Sequence, residues 1–305
     1  MELNDRPPVR TQFLVFTLFG DYVVPRGGTI WTSSLIDLLE LLDVSERAAR
    51  STLSRMSRKG WITASKHGRR SQYSLTARGW MLITQGEQRI FEPAFSNWDG
   101  LWNLVVYSLP ERKRTLRHAL RKGLSWLGYG SLAPGTWISP HNRKVEVKNL
   151  CNDLGVNKYV EIFSGTHLGL TMDREMVQRC WDLNDLEKQY RKFIARYEKG
   201  YLECRSGADI SSDDCFVRRF WLTHDFQSFP LTDPNLPTSL LAPGWVGFKA
   251  RSMFDDYRRM LEARANAFVD KIVGNTKRGL TRGQINEIVR RSESYRVSED
   301  GQLSA

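Results

Sequence analysis

Apolar residues recur at helical spacing three times within the first sixty positions of the chain. The predicted helices occupy residues 9–19, 33–43 and 45–59. Alternating runs then predict two strands around a tight turn at Gly68, followed by a helix that Thr76 caps and that reaches about Phe91. Two helices joined by a short turn and followed by a hairpin are typical of a winged helix-turn-helix.

The ends of these helices are predicted from residues that favour caps and left-handed backbone. Gly20 is expected to end the first helix, and Thr32 or Ser33 to cap the second. Ser45 supplies a capping oxygen for the third helix, which Gly60 ends.

The middle of the chain alternates between strand-length and helix-length patterns. Residues 101–109 form an apolar strand ended by Pro110, and a helix with one basic side follows over residues 111–127. An extended segment over residues 130–140, a second helix and a further strand follow through about residue 165, and the alternation is interpreted as β-α-β-β-α-β. This order predicts a ferredoxin-like domain.

From Asp173 onward the pattern is helical, with breaks expected at Gly200 and Gly207. A proline-rich stretch over residues 230–245 is expected to wrap the core as an ordered loop before a last helix over residues 247–273. The predicted fold class is α+β, with an N-terminal winged helix-turn-helix, a middle ferredoxin-like domain and a C-terminal helical domain. The expected domain ranges are 1–95, 96–172 and 173–305.

The charge of the chain narrows the choice of partners. A formal net charge of +11 and a pI near 9.6 indicate affinity for polyanions such as nucleic acid, an acidic membrane surface or an anionic ligand. The N-terminus lacks the pattern of a secretory signal and no long apolar run occurs, so we expect a cytoplasmic protein that does not bind membranes. Four scattered cysteines predict reduced thiols.

Basic residues are concentrated between Val44 and Arg70, where eight of them accompany a single acid, Glu46. An ordinary solvated helix would intersperse both signs, so this segment favours contact with DNA, although a plain solvated face remains the alternative. The expected DNA-binding residues are Arg47, Arg50, Ser51, Ser54, Arg55, Lys66, His67, Arg69 and Arg70.

These segments carry a family resemblance. The stretches "FTLFGDYVVPRGGTIWTSSLIDLL", "VSERAARSTLSRMSRKGW" and "GRRSQYSLTARG" resemble the N-terminal region of the PaaX family of transcriptional repressors of bacterial aromatic-acid catabolism. In that family the middle module is similar to the small nuclease-like subunit of CRISPR spacer acquisition, and "WDGLWNLVVYSLPE" and "LAPGTWISP" fit this pattern. The resemblance implies a repressor that binds double-stranded DNA and is released by an aryl-CoA thioester such as phenylacetyl-CoA. A homodimer is expected separately, because one winged helix buries too little surface on DNA for tight specific binding.

The C-terminal motif of the family is matched in part. His224, Asp225 and Phe226, and then the "DPNLP" and "LL" segments, fit it, whereas Gln227, Ser228 and Thr232 stand where basic residues are usual. This departure leaves a less charged aromatic ligand open as the effector. The effector is expected between the ferredoxin-like and C-terminal helical domains, because domain junctions favour concave sites. The candidate residues are Arg117, Arg121, Trp137, Arg218, Arg219, Phe220, Trp221 and His224.

Two other functions stay open beside the repressor. One is an enzyme that acts on nucleic acid or on a CoA thioester, and the other is a scaffold that binds DNA constitutively. The strand that ends at Pro110 is followed by a single carboxylate, Glu111, which is a poor magnesium site, and the five histidines show no metal-binding spacing. We therefore expect no catalytic residues, no metal and no cofactor.

Overall fold

A computed structural model describes residues 9–83 and 98–274. The described chain forms two compact units, and neither is a single continuous stretch. The first unit contains described residues 9–83, 197–225 and 253–274, and the second contains residues 98–196 and 226–252.

The first unit begins with helices around a small antiparallel sheet. Its elements are α1 (Thr11–Leu18), β1 (Thr29–Trp31), α2 (Thr32–Glu40), α3 (Glu46–Arg58), β2 (Ile62–His67), β3 (Arg70–Leu75) and a helix α4, described from residue 77 to residue 83. The strand order is β1-β3-β2, with both pairs antiparallel. The remainder of the helix predicted to reach Phe91 lies outside the described residues.

Two expectations about helix ends in this region are wrong. Gly20 does not end the first helix, since the chain continues through a π-helical turn (Phe19–Val23) and a 3-10 turn, which stops at Gly27 with φ +102°. Neither Thr32 nor Ser33 caps α2, because α2 already begins at Thr32. The Thr32 hydroxyl instead donates to the Ser71 carbonyl at 2.9 Å and ties α2 to β3.

The first unit is completed by C-terminal helical segments. Helices α8 (Leu183–Arg205) and α11 (Val246–Val273) each contribute one end to it, together with most of α9 (Ser212–Phe226). Tyr22 packs on Phe216 with ring centroids 5.2 Å apart, and Ser34 donates to the Ile272 carbonyl at 2.8 Å. The N-terminal helices therefore share a core with the C-terminal helices.

A buried ion pair lies within this core. The Asp21 carboxylate is 2.7 Å from Arg258 and 3.5 Å from Arg219, and the Asp21 and Arg219 side chains are only 6% and 3% exposed. The Arg219 guanidinium also lies over the Tyr22 ring, 5.0 Å from its centroid. Burial raises the pKa of Tyr22 to about 12, so its hydroxyl stays neutral beside these charges.

The second unit contains the β-α-β-β-α-β order predicted from the sequence. Its elements are β4 (Trp102–Tyr107), α5 (Arg114–Trp126), β5 (Gly130–Ala133), β6 (Thr136–Ser139), α6 (Lys144–Leu154), β7 (Val160–Gly165), α7 (Asp173–Cys180) and the short α10 (Phe229–Thr232). The sheet is antiparallel in the order β5-β6-β4-β7. Helices α5 and α6 cover the sheet face that carries Val105 and Tyr107.

Gly200 does not interrupt the helix in which it lies, contrary to expectation. Helix α8 runs through it, and a Cβ at this position would lie 2.6 Å from the Tyr257 hydroxyl. Gly200 is therefore a point of close approach between α8 and α11. Gly207, with φ +81°, follows the end of α8 as predicted.

Candidate nucleic-acid interface

Helix α3 has one buried face and one charged face. The Ser45 hydroxyl accepts a hydrogen bond from the Ala48 amide at 3.4 Å and caps the helix, as predicted. Ala49, Leu53 and Met56 are fully buried, and α3 packs there on α1 and α2. The opposite face carries Arg47, Arg50, Ser51, Ser54 and Arg55, all of which are exposed.

Two arginines of α3 contact neighbouring side chains of the same helix. Arg50 forms an ion pair with Glu46, one helical turn earlier, at 2.7 Å, with both side chains more than half exposed. Arg55 donates to the Thr52 hydroxyl at 3.1 Å. Since exposed ion pairs are weak, Arg50 can exchange Glu46 for another acceptor at little cost.

The β2–β3 hairpin presents a second group of cations. Its two-residue turn places Gly68 at φ +63° between the paired residues His67 and Arg70. Lys66, Arg69 and Arg70 are exposed around this turn. The tip of the hairpin therefore carries three exposed cations.

Side chains that the sequence did not single out orient the hairpin. The His67 Nε2 atom lies 2.7 Å from the Gln72 amide nitrogen, and the His67 ring meets the edge of Trp31 with centroids 5.9 Å apart. The Arg70 guanidinium lies over the same Trp31 ring, 6.0 Å from its centroid. Trp31 lies beside the hairpin because β1 pairs with β3. The two strands are about 40 residues apart, so local sequence patterns do not predict this contact.

A compact junction fixes the hairpin to the end of α3. Gly60, with φ +67°, ends the helix as predicted, and the Trp61 amide closes back on the Met56 carbonyl at 3.1 Å. The Thr76 hydroxyl lies 2.6 Å from the Gly60 carbonyl and accepts from the Gly79 amide, which caps α4. Main-chain hydrogen bonds and the Thr76 hydroxyl therefore hold the end of α3 and the hairpin together.

Family models match three successive parts of the chain. Residues 10–79 match a model described as "PaaX-like protein", residues 96–177 match "PaaX protein central Cas2-like domain", and residues 181–271 match "PaaX-like protein C-terminal domain". A curated relative, the transcriptional repressor PaaX of Escherichia coli (strain K12), is 34% identical over 268 residues, which cover 87% of this chain and 84% of the relative. The chain belongs to the PaaX family.

A solved structure agrees with this fold. The uncharacterized protein Rv0674 from Mycobacterium tuberculosis superposes with a TM-score of 0.59 at 21% identity, covering 85% of this chain and 98% of that one. The family assignment made from sequence motifs is confirmed, as is a mixed α+β fold with a central Cas2-like domain.

The candidate effector residues of this PaaX-family chain fall into two groups. Arg117, Arg121 and Trp137 belong to the second compact unit, and the remaining five belong to the first. Trp137 is 5% exposed in the domain core, and Arg117 donates to Glu111 at 2.8 Å. Arg121 is exposed.

The five candidates in the first unit all lie on α9. Phe220 is fully buried and Trp221 is 5% exposed, so both serve the core. Arg218 forms ion pairs with Glu203 and Asp214 at 3.0 and 3.2 Å, while Arg219 faces Asp21. His224 lies 2.9 Å from the Thr17 hydroxyl. The effector site stays a prediction.

Within residues 9–83 and 98–274, the possible metal ligands and the thiols are not gathered into a site. No group of three or more His, Cys, Asp or Glu side chains in this part of the chain could hold a metal ion. The four cysteines are not in disulfides, and burial raises the pKa of the Cys180 thiol to about 11. No helix within the same residues is long and apolar enough to cross a membrane.

Proposed function

We propose that this chain is a transcriptional repressor that binds operator DNA through its first eighty residues, which act as a winged helix-turn-helix. In this proposal α2 and α3 form the helix-turn-helix, α3 is the recognition helix and the β2–β3 hairpin is the wing. The observation that carries the proposal is the exposed cationic face of α3, which lies opposite a fully buried face. The name of the Escherichia coli relative supports the repressor role.

The chemistry of α3 suits direct readout of base edges. An arginine can donate two hydrogen bonds to guanine, and a glutamate can accept from the amino group of cytosine. Arg50 and Glu46 stand one turn apart and already pair with each other, so on DNA they offer a donor and an acceptor side by side. Arg47 and Arg55 extend the same face toward phosphates or further bases.

The wing suits contacts that do not depend on sequence. Lys66, Arg69 and Arg70 are exposed at the hairpin tip, and wing cations mostly meet backbone phosphate or the minor groove. The contacts that hold His67 and Arg70 against Trp31 reduce the side-chain freedom lost on binding.

We further propose that the regulated genes serve aromatic catabolism and that a small effector releases the DNA. The family resemblance supports an aryl-CoA thioester, while the neutral residues Gln227, Ser228 and Thr232 support a less charged aromatic ligand. If the effector binds the form that does not bind DNA a hundredfold more tightly, the coupling free energy between the effector and DNA is about 2.7 kcal/mol. Calorimetry separates the two ligands, since binding of the highly charged thioester weakens more steeply with salt.

The proposed function is binding without turnover. At the end of β4, where a metal nuclease would gather carboxylates, Glu111 is held by Arg117 at 2.8 Å. An assay of duplex DNA cleavage with Mg²⁺ or Mn²⁺ distinguishes the enzyme hypothesis from the repressor.

A gel-shift experiment tests the proposed function. The full chain is titrated against the DNA upstream of its own gene and against a scrambled duplex of equal length, with and without acyl-CoA thioesters and free aromatic acids. We expect preferential binding to the upstream DNA and its release by one ligand of the panel. Equal affinity for both duplexes would contradict the proposal, and specific binding that no ligand releases would support the constitutive scaffold instead.

A further inference from the structure

The helix layer of the Cas2-like domain carries an excess of positive charge. These cations are separate from those of α3 and the wing. Between residues 111 and 159 the chain has ten lysines and arginines and three acids. The cations are Arg112, Lys113, Arg114, Arg117, Arg121, Lys122, Arg143, Lys144, Lys148 and Lys158. The acids are Glu111, Glu146 and Asp153.

Helix α5 divides its residues cleanly between core and surface. Leu120 and Leu124 are fully buried in the core of the domain. Arg114, Arg121 and Lys122 are exposed on the other side of the helix, and α5 contains no acidic residue. Arg114 and Arg121 are two turns apart, so the cations form a stripe along about 10 Å of helix.

Most of these cations have no carboxylate partner among residues 9–83 and 98–274. Arg117 pairs with Glu111 and Arg143 with Glu146. The others form no ion pair within that part of the chain: Arg112, Lys113, Arg114, Arg121, Lys122, Lys144, Lys148 and Lys158. What distinguishes the helix layer from other surfaces is the shortage of acids, since its ten cations face only three carboxylates.

Two lysines gather on one aromatic ring beside this stripe. The Lys113 and Lys158 ammonium groups lie 5.2 and 5.3 Å from the centroid of the Tyr159 ring. Each contact is favourable alone, but the two like charges repel each other across the ring. A bound anion would relieve this repulsion.

Close packing of α5 and α6 joins their charges into one surface. A Cβ on Gly123 of α5 would lie 2.5 Å from the Leu150 side chain of α6, so glycine at this position allows the two helices to approach. Lys144 and Lys148, one turn apart on α6, are exposed. We call the exposed cations of α5, of α6 and around Tyr159 the helix-layer patch.

We propose that the helix-layer patch is a second DNA-contacting surface, which binds backbone phosphates of the duplex independently of sequence. This inference rests on the proposed function, because that function supplies the duplex DNA. Phosphate contacts need cations and no special base geometry, which matches a stripe without acidic residues. A membrane surface fits less well, because the apolar side of α5 is used in the domain core and is not available for insertion.

The test removes three charges from the patch and three from elsewhere. The patch variant carries Arg114→Gln, Lys122→Gln and Lys148→Gln. The control carries Lys188→Gln, Lys192→Gln and Lys199→Gln, three exposed residues of α8. All six side chains are exposed, so both variants are expected to fold, which circular dichroism and thermal melting check against the wild type.

The readout is the salt dependence of binding to a mixed-sequence duplex of about four helical turns. Each lost phosphate contact lowers the slope of log K against log salt by about 0.9, so we expect the patch variant to lose about 2 to 3 from the slope and the control to match the wild type. The preference for upstream DNA over scrambled DNA should be unchanged in the patch variant, because the proposed base contacts lie on α3.

Two results with DNA would overturn the inference: an unchanged slope in the patch variant, or an equal fall in both variants. A parallel sedimentation assay with anionic phosphatidylglycerol vesicles gives a third, which is loss of vesicle binding by the patch variant while its DNA binding matches the wild type. Failure of the proposed function looks different, since the wild type would then bind upstream and scrambled DNA equally. The mixed-sequence slope still reports on the patch in that case.

Discussion

Arg50 and Arg55 are the residues on which specific recognition depends in this account. Arg50→Ala or Arg55→Ala should cost about 1–3 kcal/mol on upstream DNA and relax the preference for particular bases at one position. Arg69→Ala at the wing should weaken binding evenly across sequences and lower the salt slope by about one. Fluorescence anisotropy with upstream and scrambled duplexes measures both effects. Wild-type binding by all three variants would contradict the assignment of α3 and the wing.

The charge of Asp21 contributes to the stability of the first compact unit. Its carboxylate faces Arg219 and Arg258, and removing its charge leaves the buried Arg219 guanidinium with the more distant Glu262 carboxylate at 4.0 Å. Asp21→Asn should therefore lower the free energy of unfolding by about 3–5 kcal/mol. Urea titration measures this loss.

A matched substitution separates burial from charge. Asp256 pairs with Arg259 on the surface of α11, with side chains 43% and 72% exposed. Asp256→Asn should change stability by less than about 1 kcal/mol. An equally small loss of stability for Asp21→Asn would contradict the prediction that the buried ion pair is the more important of the two.

At the scale of elements, the sequence predicted what depends on neighbouring residues. The Ser45 cap, the Gly60 stop and the β2–β3 hairpin all form through contacts within a few positions. Two of the wrong predictions involve partners far away in the chain. Thr32 donates to Ser71, and Gly200 faces Tyr257, so neither role has a local signal.

The loop after α10 begins with a partly buried carboxylate, Asp233, whose pKa is raised. Burial raises the pKa of Asp233 above its usual 3.8, although hydrogen bonds from the Tyr190 hydroxyl and the Asn235 amide oppose the shift. A raised pKa in the folded state means that the protonated carboxyl favours folding, and this stability is lost as pH rises through the folded-state value.

Asp233→Asn should remove this pH dependence. The free energy of unfolding of the variant, relative to the wild type, should increase as pH rises above 3.8, by at most about 1.4 kcal/mol per pH unit. Urea titrations across the pH range measure the difference. Parallel curves for the two proteins would contradict the raised pKa.

At the scale of the whole molecule, the sequence indicated the succession of three modules but not how the helices are shared. The C-terminal ends of α8 and α11 and most of α9 belong to the same compact unit as the N-terminal eighty residues. Contacts such as Tyr22 with Phe216 and Ser34 with Ile272 join these segments. The partners are some 200 residues apart, so the sequence shows the character of each side chain but not its partner. The predicted domain ranges and the predicted effector residues stay predictions.

We predict that the protein is a homodimer on paired half-sites. One winged helix buries only about 600–1,000 Å² on DNA, which is too little for tight specific binding at physiological salt, so two-fold symmetry has to supply a second half-site. The helical region after Asp173 is the expected dimer surface. Light scattering of the free protein and of its DNA complex measures the stoichiometry, and a monomer in both states would contradict the prediction.

The measurement that tests the central claim most directly is a DNase footprint of the full chain on the DNA upstream of its own gene, run beside the Arg50→Ala/Arg55→Ala double variant. The account predicts a bounded protected region with the wild type and none with the double variant at the same concentration, while circular dichroism of the two proteins is the same. Protection that persists in the double variant, or wild-type protection spread evenly over the whole fragment, would contradict recognition by α3.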